Sequence, residues 1–213
     1  MSKKILINEA ADMVKDGMTL MIGGFLAVGS ANKIIEKIAD KGVKDLTVIC
    51  NDASYPDKGI GLLIAKGCVK KCIASYIGSN PIAGDMMNSG EIEMELVPQG
   101  TLAERVRCGG VGLGGFLTKT GIGTLVEQGK QKIKVNDEEF LLELPLHADV
   151  ALIGASLCDK HGNIIYNGTS QNFNPLMAMA ADVVIAEVKD EVEEMKSETI
   201  HTPFMFVDYI VKA

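Results

Sequence analysis

A short apolar run, Met18 to Ile22, ends in two glycines, Gly23 and Gly24, and helical spacing then takes over at Ile34, Ile35 and Ile38. A strand that stops in glycine and feeds a helix is the repeating unit of an α/β fold. It is also where such folds receive anionic ligands, at the carboxyl ends of strands. Glycine has no Cβ, so a ligand can come within hydrogen-bonding reach of the backbone. The helix expected to begin near Ser30 offers N–H groups that are free to donate. Gly23, Gly24 and Gly29 do not make the GxGxxG dinucleotide spacing, nor does the chain carry a P-loop. On pattern alone the segment is either a ligand loop or an ordinary tight turn.

The same alternation continues. Asn8 to Lys15 reads as a helix capped by Asn8, and Leu46 to Cys50 as a second strand whose wholly apolar run fits a sheet covered on both faces. A helix follows over Gly61 to Lys66, and a third strand over Val69 to Tyr76. Asn80-Pro81 reads as an N-cap and first-turn proline for a helix through Asn88. Glu93 to Val97 is a fourth strand, and Gln99 starts a helix to Cys108. Cys108 to Gly123 is glycine-rich and reads as a loop that packs over something. Ile133 to Val135 and Phe140 to Leu144 read as a hairpin turning at Asn136-Asp137. A buried strand is expected at Asp149 to Ala155 and another strand at Val183 to Val188, with a Met- and Ala-rich helix capped by Asn174-Pro175 between them. A last strand is expected from Phe204 to Val211, and the acidic run Asp190 to Glu198 reads as a solvated face. The 213 residues suit one α/β domain, residues 1–213, built as a three-layer α/β/α sandwich around a largely parallel open sheet.

Composition narrows the function. A net charge of −7 argues against a nucleic-acid surface, which needs clustered Lys and Arg. Cys50, Cys68, Cys72, Cys108 and Cys158 form no CxxC pair, and their odd number suits a reducing compartment, so a cytoplasmic protein is expected. His147, His161 and His201 are scattered, which gives no reason to expect a metal. No apolar run reaches the ~18 residues of a membrane helix.

Several segments, in order, resemble family I coenzyme A transferases. They are GGF at 23–25 after an apolar strand, NDA at 51–53, VPQGTLAER at 97–105, GVGLGGFLTKTG at 110–121 and NFNP at 172–175. The set is similar to the α subunit of the acetoacetate/butyrate type. The resemblance implies a fold shared with sugar-phosphate isomerases, coenzyme A as a substrate without a permanently bound cofactor, and a β-subunit partner in an assembly of two α and two β chains. It implies covalent catalysis by a glutamate in a Ser-Glu-Asn-Gly-like segment. That segment is missing here: Ser197-Glu198 is followed by Thr199 in the acidic run. The nucleophile is therefore expected on the β subunit.

For this chain the resemblance implies three contributions. Gly23, Gly24, Phe25, Leu26, Ala27, Val28 and Gly29 would form a wall against coenzyme A or its thioester. Gln99 would donate to the oxyanion, although on pattern it is simply a glutamine at a helix start. Gly112, Gly114, Gly115 and Phe116 would shape the acyl pocket, which favours acetyl, butyryl and acetoacetyl groups. Asn51 is either a turn residue or a ligand contact at a strand end, and Asn172 either braces the site or serves a loop. Ala31 and Lys119 depart from the family pattern at positions where proline is usual. Two other classes remain open. A sugar-phosphate isomerase or deaminase would need its own acid–base groups near the strand ends, and a non-catalytic coenzyme A-binding module would need none.

Overall fold

The computed structural model describes residues 3–213. Its main sheet contains β1 (Lys3–Lys4), β2 (Thr19–Ile22), β3 (Leu46–Cys50), β4 (Val69–Ala74), β5 (Glu93–Leu96), β9 (Ala148–Asp159), β10 (Ile164–Ile165), β11 (Ala181–Val192) and β12 (Tyr209–Lys212). The order across it is β1-β12-β11-β9-β2-β3-β4-β5. All these pairings are parallel, and only β10 runs antiparallel, against β9. A separate antiparallel sheet joins β6 (Phe116–Thr118), β8 (Glu138–Glu143) and β7 (Lys132–Val135).

Parallel strands buried on both faces need helices on both sides, and the side chains divide accordingly. Leu20, Ile22, Val48, Cys50 and Cys72 point to one core with Ile34, Ile35 and Ile38 of α2 (Asn32–Lys41) and Leu63 and Ile64 of α3 (Ile60–Ala65). Ala10 and Ala11 of α1 (Ile7–Met13) and Ala83 of α4 (Pro81–Ser89) complete that layer. Met21, Ile49, Ile73, Ala151 and Ile153 point the other way, to Leu102 and Val106 of α5 (Gln99–Gly110) and Met177 of α6 (Asn174–Met177). Each fully buried Leu or Ile contributes about 1.5–3 kcal/mol. Truncating Ile35 to Ala would cost about 2–5 kcal/mol, because neighbours on α2 and the sheet cannot collapse into the gap. The three-layer α/β/α sandwich expected from the sequence is the one found.

Several boundaries differ. The first helix starts at Ile7 because the Glu9 carboxylate accepts from the Leu6 N–H at 2.8 Å, so Asn8 is not the cap. α2 starts at Asn32, beyond Ser30. The Cys108–Gly123 segment is not all loop: α5 continues to Gly110, and Phe116 to Thr118 pairs with β8. Asn174 is the first residue of α6 rather than its cap, and its side chain faces elsewhere. β11 runs on through Asp190 to Val192, so the acidic run begins inside a strand. Phe204 to Phe206 forms a 3-10 turn, because the Asp208 carboxylate and backbone bind the N–H and C=O of Val184 and delay the last strand to Tyr209.

The chain reverses its direction of travel across the sheet at the β2/β9 boundary. β3, β4 and β5 spread to one side of β2, and β11 and β12 to the other side of β9. The carboxyl edge of an open sheet at such a switch point is where ligands bind.

Candidate active site

At that edge lies the loop from Gly23 to Ala31. Phe25 and Val28 exchange backbone hydrogen bonds, both 2.9 Å long. Between them Leu26 and Ala27 have φ values of 49° and 67°. This is a two-residue turn of the mirror-image kind, normally built from Gly or Asn. For Leu and Ala such a conformation costs roughly 1–2 kcal/mol per residue and persists only when its surroundings fix it. Four contacts do so. The Asp52 carboxylate accepts from Leu26 N–H at 3.2 and 3.1 Å. Asn32 Nδ2 donates to Ala27 C=O at 3.1 Å. Asn172 Oδ1 accepts from Gly24 N–H at 3.0 Å, and its Nδ2 donates to Val28 C=O at 3.2 Å. Phe25 and Val28 stay exposed, at 47% and 52%.

The glycines have a different reason from the one expected. A Cβ on Gly23 would lie 1.7 Å from Asn174 Oδ1. One on Gly24 would meet Ser30 Oγ at 2.0 Å, and one on Gly29 the Ser170 carbonyl at 2.5 Å. The chain's own atoms occupy the close approach. Asn174, fully buried, donates from Nδ2 to the carbonyls of Gly29 and Ser170, each at 2.8 Å. It thereby ties the end of the glycine loop to the 168–174 segment.

Two of the residues singled out in the sequence meet directly. Gln99 Nε2 donates to Asn51 Oδ1 at 2.6 Å. Asn51 is buried and Gln99 exposed. Asn51 Nδ2 donates to Asp52 Oδ2 at 2.9 Å, and Asp52 Oδ1 also accepts from Ser54 N–H at 2.8 Å. Ser75 Oγ donates to the Asn51 carbonyl at 2.7 Å and approaches its Oδ1 at 3.3 Å. The carboxyl ends of β2, β3, β4 and β5 are thus linked by one hydrogen-bonded chain.

Gly112, Gly114, Gly115 and Phe116 are not brought to this chain of contacts. α5 leads away from Gln99 for 12 residues, about 18 Å. At its far end Gly109 packs on the Leu146 carbonyl and Gly110 on Met179, just ahead of β9 and β11. The glycine turn therefore starts at the amino edge of the sheet. Gly112 and Gly114 face open space, whereas a Cβ on Gly115 would strike the Glu143 carbonyl at 2.5 Å. Phe116 pairs with Glu143.

A cleft of about 900 Å³ opens on the other side of the glycine loop, lined by Val28, Ser30, Lys33, Gly154, Ser156 and Glu187 among others. The first-turn amides of α2 are not free here. Glu187, 7% exposed, accepts from Ile34 N–H at 2.9 Å. Burial raises its carboxyl above the ordinary range, against the lowering pull of the backbone donors at Ile34 and Lys33.

Sequence reasoning missed Asp52, Asn174 and Glu187 as organisers of this edge. Asp52 had the visible signal, an acid following Asn51 directly at a strand end. Glu187 had a weaker one, a carboxylate inside an apolar strand. Asn174 had none, because Asn-Pro reads first as a cap. Among the described residues, no His, Cys, Asp and Glu side chains gather in a group that could hold a metal ion. No helix there is long and apolar enough to cross a membrane.

The coenzyme A transferase family profile matches residues 4–213. The chain is 54% identical over 213 residues to the acetoacetyl-CoA:acetate/butyrate CoA transferase alpha subunit of Clostridium acetobutylicum, covering 99% of this chain and 98% of that one. It is 49% identical to the acetate CoA-transferase subunit alpha of Escherichia coli, covering 99% and 96%. In fold it is similar to an Escherichia coli acyl-CoA transferase solved as a thioester complex with CoA, with a TM-score of 0.88 and 23% identity. All of this chain aligns with about half of that longer one, 47%. Glutaconate coenzyme A-transferase from Acidaminococcus fermentans aligns with a TM-score of 0.87 at 20% identity, over the whole of this chain and 76% of that one. The ordered motifs, the open parallel sheet and the full-length match agree, and the chain belongs to the coenzyme A transferase family.

Proposed function

We propose that this chain is the α subunit of a cytoplasmic CoA-transferase of two α and two β chains. It moves coenzyme A between a short-chain acyl-CoA (acetyl, butyryl or acetoacetyl) and a free short-chain carboxylate. The observation that carries the reading is the Gln99–Asn51 contact at the carboxyl edge, beside a loop fixed from both sides. Around Gln99 the edge offers a polarised amide and a shaped backbone, and the carboxylates built into it are already engaged. Asp52 is saturated by donors, and Glu187 is committed to α2. The names of the full-length relatives support the subunit assignment.

In this reading the β subunit supplies the glutamate. Its carboxylate attacks the thioester carbonyl, and the carbon–sulfur bond breaks to release the CoA thiolate and leave an acyl–glutamyl anhydride. The thiolate then attacks the glutamyl carbonyl, freeing the first carboxylate and forming a glutamyl-CoA thioester. The incoming carboxylate reverses these steps. Splitting one transfer into easier ones is the gain of nucleophilic catalysis. Each tetrahedral intermediate carries an oxyanion, to which Gln99 donates its second Nε2 proton. The exposed Phe25 and Val28 give the coenzyme an apolar flank.

The test is to trap the assembled enzyme. After incubation with acyl-CoA and then borohydride or hydroxylamine, mass spectrometry should find the modification on a β-chain glutamate only. A modified glutamate in this chain, Glu36 or Glu187 included, would refute the division of labour.

A further inference from the structure

We infer that Asp52 is a positioning residue whose charge sets the direction in which Asn51 and Gln99 point their amides, so that Gln99 presents an N–H rather than a carbonyl to the reacting group. The inference rests on the oxyanion role proposed for Gln99.

An amide side chain can be turned end for end at almost no steric cost, because its oxygen and nitrogen are nearly the same size. Only its hydrogen-bond partners decide which way it faces. An ionised carboxylate admits no choice, since it accepts and cannot donate. Asp52 is buried, 4% exposed, and its oxygens meet the N–H groups of Leu26 and Ser54 and the Nδ2 of Asn51. Asn51 must therefore turn its NH₂ toward Asp52, because the reverse would set two acceptors together at 2.9 Å. That leaves Asn51 Oδ1 facing Gln99, which must answer with its own NH₂ at 2.6 Å. One Nε2 proton is used in that bond, and the other remains for a ligand at the strand ends. Ser75 Oγ spends its one proton on the Asn51 backbone carbonyl at 2.7 Å, which leaves Gln99 as the donor to Asn51 Oδ1. The polarity of the catalytic amide is thus fixed two residues away by a charge.

The same carboxylate holds Leu26 N–H, so the strained turn of the glycine loop and the direction of the amides share one anchor.

Asp52→Asn isolates the charge from the shape. The oxygen of the new amide stays with the Ser54 N–H, which faces Oδ1 alone, and keeps the Leu26 N–H that both carboxylate oxygens share in the native protein. Its NH₂ then meets Asn51, which must flip, and Gln99 must flip in turn. The outcome is an oxygen where the oxyanion needs a proton.

In the assembled α/β enzyme, Asp52→Asn should lower kcat by about 10²-fold, the size of a lost oxyanion donor, with KM for acyl-CoA changed little. A Gln99→Ala/Asp52→Asn enzyme should be no slower than Gln99→Ala alone, within about threefold, because the two changes remove one interaction. Independent multiplied losses, or full activity in Asp52→Asn, would overturn the inference. Should Asp52→Asn fail to assemble, Asn51→Ala against Gln99→Ala tests the link through which Asp52 acts, and multiplied losses there would overturn the inference as well. A Gln99→Ala enzyme at the wild-type rate would instead refute the oxyanion role. The positioning claim is then judged on its own by NMR of 15N-glutamine-labelled α chain in the assembled enzyme. The Gln99 side-chain amide protons should shift in Asp52→Asn, and an unchanged pair would overturn it.

Discussion

Gly23→Ala measures how tightly the glycine loop is seated. The residue lacks a positive φ, so the substitution carries no backbone conformational cost and its effect is steric. The new methyl would lie 1.7 Å from Asn174 Oδ1 and 2.6 Å from its Cγ, both well inside the roughly 3.5 Å at which such atoms make contact. Either Asn174 moves or the loop does. Asn174 is held by the carbonyls of Gly29 and Ser170, and moving it leaves buried polar groups unpaired at about 1–3 kcal/mol. Moving the loop strains the Gly23 N–H bond to Leu152 C=O, 3.0 Å long, and the overpacking costs about 1–3 kcal/mol. A loss of about 3 kcal/mol lowers Tm by roughly 6–12 °C in a chain of this size. Differential scanning calorimetry of the assembled enzyme at fixed concentration reads it. Asn174→Ala is costly on its own, yet it removes the obstructing atoms, so the double variant should be more stable than the sum of the two losses by at least about 1 kcal/mol. A Tm within about 2 °C of wild type for Gly23→Ala, or simple additivity, would refute the argument that the chain itself demands glycine there.

Gln99→Ala should lower turnover by about 10²–10³-fold with little change in acyl-CoA affinity; steady-state kinetics with an unchanged kcat would return Gln99 to a structural role. Gly84→Ala lies inside α4 with nothing within 4 Å of the new methyl. It should raise stability by up to about 1 kcal/mol without altering turnover, and a lowered Tm would contradict the open space seen there. Glu187→Gln keeps an acceptor for Ile34 N–H. Burial raises the folded pKa of Glu187 above its ordinary 4.5, so its favourable contribution is present below that value and is lost as pH rises through the raised one. The Tm of Glu187→Gln relative to wild type should therefore climb between acid and neutral pH, and a flat or falling difference would show that the carboxylate is not penalised.

Much of the fold was legible because burial on two faces writes itself as uninterrupted apolar runs. β2, β3 and β4 lie where Leu20, Val48 and Cys72 announced them, and Asn80-Pro81 caps α4 as its chemistry requires, with Asn80 accepting from Ala83 N–H. The hairpin at Asn136-Asp137 follows from two residues that tolerate φ values of 49° and 64°. The misses arise where tertiary contacts override local pattern. β1 has only Lys3 and Lys4, and nothing in two lysines says that they pair with Tyr209 and Ile210. Polar strand residues such as Asp190 and Glu191 carry no apolar signal, yet they continue the ladder with β9. In the site, Gln99 and Asn51 were singled out separately, but their contact spans 48 positions and no local spacing encodes it. The glycines at 23, 24 and 29 looked like room for a ligand, because the atoms that fill that room, the side chains of Asn174 and Ser30 and the backbone of Ser170, are not visible in the local pattern.

The brace on the glycine loop also sets the order in which the protein can mature. Asn172 follows Gly24 by 148 positions, and β9, which lies beside β2, likewise comes from the second half of the chain. At about 5–20 residues per second, a ribosome needs roughly 7–30 s after making the loop to deliver the residue that secures it. During that interval β2 to β5 can pair with one another, but β2 has an open flank and the turn at Leu26 and Ala27 lacks its second support. The half-made sheet is a template for any passing strand. The loop becomes rigid only when nearly the whole chain has been synthesised, so a truncated product carries the motif residues without the geometry that gives them their use.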